Sequence, residues 1–294
     1  MIRFRLFFFL VFLLGLCACS SLDEATATPT AVTFIPTSPP TIPPKATHIS
    51  PTATATPPTC LNQPPRVDAG EIDASKPPQL FMIYLPPCYD ANIEQRYPVL
   101  YLLHGQTYLD DQWVRLGAPQ AANQLILSGQ VHPFIMVFPD DRYWNTSAEA
   151  GFGDRVVNLV IPYVDSNYRT LADRTHRAVG GLSLGGGWAA RLGLTHYDLF
   201  GSVGLHSPAI RDDDGPYIDS WIRAVPAASW PRFWIDAGDR DKGLSSIMQF
   251  ENLLSYYQVP HEWHMYNGDH SEGYWGAHVA EYLQWYAEAW KSSP

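Results

Sequence analysis

Positive charge is scarce in this chain. Nineteen Lys and Arg stand against 29 Asp and Glu, so the formal net charge over 294 residues is −10. Nucleic acid demands Lys and Arg to neutralise its phosphates, and the acidic balance argues against it as a partner. Metal-ligand spacing is missing as well: the chain has no H-E-x-x-H and no cysteine-rich knuckle. Neither a metal nor another cofactor is therefore expected. Internal repeats are absent, which excludes solenoid and propeller arrays. Cysteine is limited to positions 17, 19, 60 and 88, and the apolar run at 6–16 is too short for an ordinary spanning helix.

What is present is apolar. Hydrophobic residues make up 46%, enough for a large core, and the length suits one sizeable domain with extensions. Ten Trp and sixteen Tyr are expected mostly in that core, with some left to line a site for flat or sugar-like ligands. The first extension is a leader. Arg3 and Arg5 precede the apolar run and small residues close it, the layout of a secretory signal over 1–19. Its end, Leu16-Cys17-Ala18-Cys19, resembles a bacterial lipobox, with cleavage before Cys19 and lipid on its thiol. An ordinary signal peptide with incidental cysteines is the alternative. A chain processed at a lipobox is exported and held at the bacterial cell membrane by acyl chains.

Residues 20–59 are Thr, Pro, Ala and Ser with few charges and few large apolar side chains. Such a segment cannot bury enough surface to offset its ordering entropy. A disordered, partly polyproline linker is expected, reaching on the order of 120 Å if extended. Cys60 and Cys88 remain after processing. In an exported protein the pair points to a disulfide at the N-terminal edge of a folded domain spanning 60–294, against two unrelated thiols.

Within 60–294 strands and helices alternate. Strands are expected at 80–85, 97–103, 134–138, 178–180, 201–205, 232–237 and 262–266. Helices are expected at 119–127, 154–168 with a kink at Pro162, 188–194, 244–257 and 275–290. Residues 97–103 form a continuous apolar run of the kind buried on both faces of a sheet. The alternation predicts an α/β fold, a mostly parallel central sheet with helices on both faces.

The chain is organised around 177–188, RAVGGLSLGGGW. Here Gly181-Leu182-Ser183-Leu184-Gly185 is a G-x-S-x-G between a short apolar strand and a helix that begins with small residues, the pattern of a nucleophile elbow. A strand turning at once into a helix strains the serine backbone. Glycine two positions to either side lets the turn close and leaves the hydroxyl at its tip.

Serine needs a base, and the base needs an orienting carboxylate. This turn goes with the chain order Ser, Asp, His. Asp241, on the loop after 232–237, is the candidate acid, with Asp239 second; Asp236 is expected to point into or along the sheet. His270, on the loop before the last helix, is the candidate base. His261 and His264 lie three apart on a strand, face opposite sides and make no ligand pair. His278 falls on the final helix. The expected oxyanion donors are the backbone N–H of Leu184, at the helix N-terminus, and of Gln106 in His104-Gly105-Gln106. His104 either belongs to that machinery or braces its loop. Trp113, Tyr143, Trp144 and Trp275 fall on candidate rim loops, where they stack on a phenolic or sugar ring or pack locally.

Several segments then point the same way. They are Tyr84-Leu85-Pro86-Pro87; Tyr97-Pro98-Val99-Leu100-Tyr101-Leu102-Leu103-His104-Gly105; Ile161-Pro162-Tyr163-Val164 with Tyr168-Arg169; the serine motif; the G-x-x-D of Gly238 to Asp241; and Gly268-Asp269-His270 with Trp275. Together they resemble the esterase D family of α/β-hydrolases, which includes feruloyl and acetyl-xylan esterases, S-formylglutathione hydrolase, enterochelin esterases and the mycobacterial mycolyltransferases. The resemblance covers nearly everything from about residue 65 to the end. It implies the α/β-hydrolase fold, a Ser183, His270 and Asp241 triad, and an oxyanion hole from Gln106 and Leu184.

Three departures stand out. Glu272 lies two residues after the histidine, where many feruloyl esterase relatives carry Trp. His206-Ser207 stands where the family often has small residues and Ser-Gly. Asp110, Asp111 and Trp113 after the oxyanion loop are somewhat like the mycolyltransferases. The expectation is an exported serine esterase acting on carboxylic esters, such as feruloyl or acetyl esters of polysaccharides. Acyl transfer to a carbohydrate or lipid acceptor is the alternative among enzymes. A surface carbohydrate-binding lipoprotein with an idle hydrolase scaffold is the alternative outside them.

Overall fold

A computed structural model of the chain describes residues 59–141 and 151–291. The expected leader with Cys19, all but the last residue of the expected linker, and Tyr143 and Trp144 lie outside the described residues.

Apolar runs build the sheet. Its strands are β1 (Arg66–Ile72), β2 (Gln79–Leu85), β3 (Val99–Leu103), β4 (Ile135–Pro139), β5 (Arg177–Leu182), β6 (Ser202–His206), β7 (Arg232–Gly238) and β8 (His261–Tyr266). They lie in the order β1-β2-β4-β3-β5-β6-β7-β8. β2 is antiparallel to both its neighbours, and every pair from β4 to β8 is parallel. β3 shows why its sequence is apolar at every position. All five residues are buried. Val99, Tyr101 and Leu103 join one core cluster and Leu100 and Leu102 the other. Successive side chains of a strand point to opposite faces, so a strand covered on both sides cannot alternate with polar residues.

The helices are α1 (Gln112–Arg115), α2 (Ala118–Leu127), α3 (Phe152–Arg155), α4 (Ile161–Asn167), α5 (Leu184–Thr195), α6 (Gly215–Ala224), α7 (Leu244–Tyr256) and α8 (Glu272–Glu288). α1, α2 and α8 supply the core on one face of the sheet; α3 to α7 supply it on the other. The expected α/β architecture is what the described residues form.

Three elements were not expected. β1 is an edge strand whose residues are mostly exposed or half-buried, so no apolar run marks it. α1 is a single turn. α6 buries only Ile218 and Ile222, one thin stripe. The helix expected over 154–168 is three consecutive pieces: α3, a π-helical stretch Val156–Val160, and α4. Pro162 lies at the start of α4 inside this continuous helical run, where it has no N–H to give to the preceding turn, and the widened π-helical turn before it takes up the mismatch. Cys60 and Cys88 are joined in a disulfide with Cα atoms 5.1 Å apart, tying the turn before β1 to the end of β2.

Candidate active site

Parallel strands deliver their following loops to one edge of the sheet. β5 ends at Ser183, the loop after β7 carries Asp241, and the loop after β8 carries His270. The turn at Ser183 is as tight as its glycines require. Ser183 has φ 53° and ψ −119°, a left-handed conformation that a non-glycine residue holds only under constraint. A Cβ on Gly181 would sit 2.3 Å from the Gly185 backbone, and one on Gly185 would sit 2.2 Å from the Leu103 carbonyl oxygen. Neither position has room for a side chain.

The three side chains meet. His270 Nε2 lies 2.8 Å from Ser183 Oγ. On its other side Nδ1 lies 2.9 Å from Asp241 Oδ2 and 3.0 Å from Oδ1. A carboxylate only accepts, so Nδ1–H donates to Asp241 and Nε2 is left to accept from the serine hydroxyl. The Asp241 side chain is fully buried and that of His270 is 14% exposed. Burial opposes charge on Asp241, but hydrogen bonds from His270 and the Gly243 N–H (2.7 Å) hold its carboxyl below the ordinary value of 3.8. Asp239, the second candidate, is occupied elsewhere. It accepts from the Gly268 N–H at 3.0 Å and from Asn267 and Arg240, which braces the two loops.

The two expected oxyanion donors, the N–H groups of Leu184 and Gln106, sit in defined backbone settings. Leu184 opens α5, and first-turn N–H groups have no partner within the helix. Gln106 lies in the loop after β3, where both ends of Gly105 are pinned. The Gly105 N–H donates to Gln112 Oε1 at 2.8 Å, and the Gly105 carbonyl lies 2.8 Å from His104 Nδ1. In a trans peptide C=O and N–H point in opposite directions. Fixing the Gly105 carbonyl on buried His104 therefore turns the Gln106 N–H away from that ring. Gln106 and Ser183 line the same cleft of about 590 Å³. His104 is the brace of this loop. Its Nε2 accepts the Asp141 N–H at 2.8 Å, so the proton sits on Nδ1 and is donated to Gly105. Burial keeps His104 below the ordinary imidazole value of 6.5, as a ring accepting a backbone N–H requires.

Residues 76–286, which contain all of these groups, match the protein family described as "Putative esterase". The chain belongs to this esterase family. Among curated relatives, an endo-1,4-beta-xylanase/feruloyl esterase of Xylanibacter ruminicola is 31% identical over 171 residues, 54% of this chain and 22% of the relative. An esterase of Mycobacterium tuberculosis is 25% identical over 240 residues, 64% of this chain and 51% of the relative. The chain thus spans about half or less of the length of these curated relatives. Among solved structures, a ferulic acid esterase superposes with a TM-score of 0.68 at 23% identity, covering 77% of this chain and all of the other. That likeness shows a shared fold.

The aromatic residues expected at the rim of this cleft fare differently. Trp113 does not reach the cleft. α1 turns it inward to 1% exposure, and its indole N–H donates to the Leu103 carbonyl at 3.0 Å. An indole that finds both apolar cover and an acceptor beneath the sheet edge stays there. Trp275 does border the cleft, at 4% exposure, with its ring edge-on to His270 at 5.0 Å. It walls His270 more than it offers an open face.

Two arrangements were missed. The first is a sealed His206 and Asp236 pair under the site. The second links Gln112, Glu272 and Arg115 along the cleft wall. The signal for the first was present: Asp236 interrupts the run Phe233 to Ala237 inside β7, and one histidine ends β6. Both are wholly buried, and buried charge demands a partner.

Proposed function

We propose that this chain is an exported serine esterase in which Ser183 is the nucleophile, His270 the general base and acid, and Asp241 the group that orients His270. The hydrogen-bond line from Asp241 through His270 to Ser183 Oγ, opening on a cleft, carries the reading. Ser183 Oγ attacks the ester carbonyl carbon while its proton passes to His270 Nε2. Asp241 stabilises the imidazolium. The carbonyl oxygen, now anionic, takes hydrogen bonds from the N–H groups of Gln106 and Leu184. Collapse of the tetrahedral adduct breaks the C–O bond to the alcohol, which leaves with the proton from His270. Water then repeats the sequence on the acyl-enzyme and regenerates Ser183.

The substrates we propose are acetyl or feruloyl esters of polysaccharides. Support comes from the feruloyl esterase among the relatives and the ferulic acid esterase among the structural neighbours. Export and lipid attachment at Cys19, holding the enzyme at the outer face of a bacterial cell membrane, are proposed from the leader alone. The deciding experiment is release of p-nitrophenol from its acetate ester, wild type beside Ser183→Ala, followed by acetyl-xylan and methyl ferulate. Turnover that survives in Ser183→Ala rejects the nucleophile. For the anchor, Cys19→Ser should abolish incorporation of labelled fatty acid; incorporation that persists rejects Cys19 as the lipid site.

A further inference from the structure

Glu272 lies two residues beyond His270 and lines the cleft. It also faces the loop that carries Gln106, and the contact between them runs through one buried amide. Gln112 is fully buried. Its Oε1 accepts the Gly105 N–H at 2.8 Å, and its Nε2 donates to Glu272 Oε1 at 3.1 Å. The two ends of a glutamine amide are nearly the same shape and opposite in chemistry. Which end faces Gly105 is therefore set from both sides, by the Gly105 N–H, which only donates, and by what faces the other end. A carboxylate only accepts, so Glu272 adds its weight to the orientation with Nε2 toward itself and Oε1 toward Gly105, and holds the amide there. The opposite orientation would set an NH2 against the Gly105 N–H and leave a buried donor unpaired.

Glu272 is itself held. Arg115 Nη1 donates to both its carboxylate oxygens, at 3.0 and 3.2 Å, and Arg115 Nε donates to Asp111 at 3.0 Å. The line thus runs Asp111, Arg115, Glu272, Gln112, Gly105. Through Glu272, Gln112 and Gly105, which line the cleft, it joins the loop of the base to the loop of the oxyanion donor.

We infer that Glu272 is a positioning residue which, by fixing the Gln112 amide, sets the Gly105–Gln106 backbone so that the Gln106 N–H meets the oxyanion. The inference rests on the serine-esterase reading and adds to it the group that aligns the oxyanion loop. Holding that backbone still matters only where negative charge develops, in the transition state. Its loss lowers kcat and leaves substrate binding alone.

The test is a kinetic comparison of wild type, Glu272→Leu and Glu272→Gln on p-nitrophenyl acetate, with binding of phenylboronic acid. The boronate forms a tetrahedral adduct on a reactive serine and places an oxygen in the oxyanion hole. Glu272→Leu should lower kcat roughly 10- to 100-fold, a fraction of the loss typical of deleting a whole oxyanion donor. KM should stay within about twofold, and boronate affinity should fall in parallel with kcat. Glu272→Gln keeps an acceptor oxygen for Gln112 Nε2 and should recover most of both. If wild type turns over ester and Glu272→Leu changes KM alone, Glu272 is a substrate contact and the inference is overturned. It is overturned equally if kcat and boronate affinity are unchanged, or if both variants lose kcat alike. Wild type that neither turns over ester nor binds boronate overturns the serine-esterase reading, and this inference with it. Thermal unfolding of each variant separates these effects from loss of fold: Glu272→Gln, isosteric and half-exposed, supplies a folded comparison if Glu272→Leu unfolds.

Discussion

Two histidine–aspartate pairs draw their aspartate from one stretch of chain, and they differ in almost everything except the contact itself. His270 meets Asp241 at 2.9 Å and His206 meets Asp236 at 2.7 Å. Each aspartate belongs to β7 or the loop just after it. The outer pair leaves His270 Nε2 free to face Ser183 at the cleft. The inner pair is closed. Both side chains are fully buried, and His206 Nε2 shares a hydrogen bond with the Tyr286 hydroxyl at 3.1 Å. Asp236 accepts from His206, Trp234, Tyr274 and Tyr282, all within 2.9 Å. Burial, and after it the Asp236 charge, holds the Tyr274, Tyr282 and Tyr286 phenols above their ordinary value, so each remains a protonated donor. A histidine beside an aspartate is thus no base by virtue of that contact. It becomes one where its second nitrogen faces a nucleophile and substrate can arrive. The inner pair instead fastens α8 to the sheet, directly under the elbow: the Ser183 N–H donates to the His206 carbonyl at 3.0 Å.

Ser183→Ala should break the outer pair's function most completely. We expect a fall in kcat on the order of 10⁴- to 10⁶-fold with an unchanged unfolding midpoint. Asp241→Asn should follow at about 10⁴-fold, because an amide facing Nδ1 favours the wrong tautomer; rates on p-nitrophenyl acetate check both. The inner pair should answer in stability instead. Asp236→Ala removes the acceptor of four buried donors and should cost about 3–5 kcal/mol in urea unfolding. Its kcat per folded molecule should fall far less than that of Asp241→Asn. An equal fall would erase the distinction and bring the inner pair into catalysis.

Tyr286→Phe sharpens the comparison more gently. It leaves buried His206 Nε2 without its hydroxyl and should cost about 1–3 kcal/mol by the same measurement. The smallest effect concerns a third histidine, which like His206 is buried. His104 has its folded value pushed below 6.5, so the unfolded chain takes up this proton first. Stability should therefore decline as pH falls below 6.5, by at most about 1.4 kcal/mol per pH unit from this group, until the folded value is passed. Urea midpoints at pH 7.5 and 5.5 should differ less in His104→Gln than in wild type. An identical slope would mean His104 carries no part of the pH dependence.

Much of the site was legible before any coordinates. The elbow announced itself because a strand-to-helix turn admits only small residues at Gly181 and Gly185, and that constraint is local. His270 and Asp241 were legible because chain order and loop position follow from the alternation of strands and helices. β1 and α6 were not, since an edge strand and a thinly buried helix need little apolar patterning. Trp113 misled because its neighbours Asp110, Asp111 and Gln112 read as loop. The turn of α1 that swings the indole under the sheet depends on contacts with Leu103 and α8, far along the chain.

The sequence by itself determined the α/β layering, the strained serine turn and the residues able to form a base relay. Each of these is written in local spacing, in apolar periodicity or in the chemistry of a single short motif. Only the tertiary structure decided which histidine faces Ser183 and which is sealed in the core. His206 and His270 each have an aspartate, and no local pattern separates them. The difference lies in what their second nitrogens face, a tyrosine from α8 or a serine from β5, and in whether solvent reaches the ring. The same holds for Glu272, whose carboxylate bears on Gly105 only because folding carries it across 160 residues to Gln112.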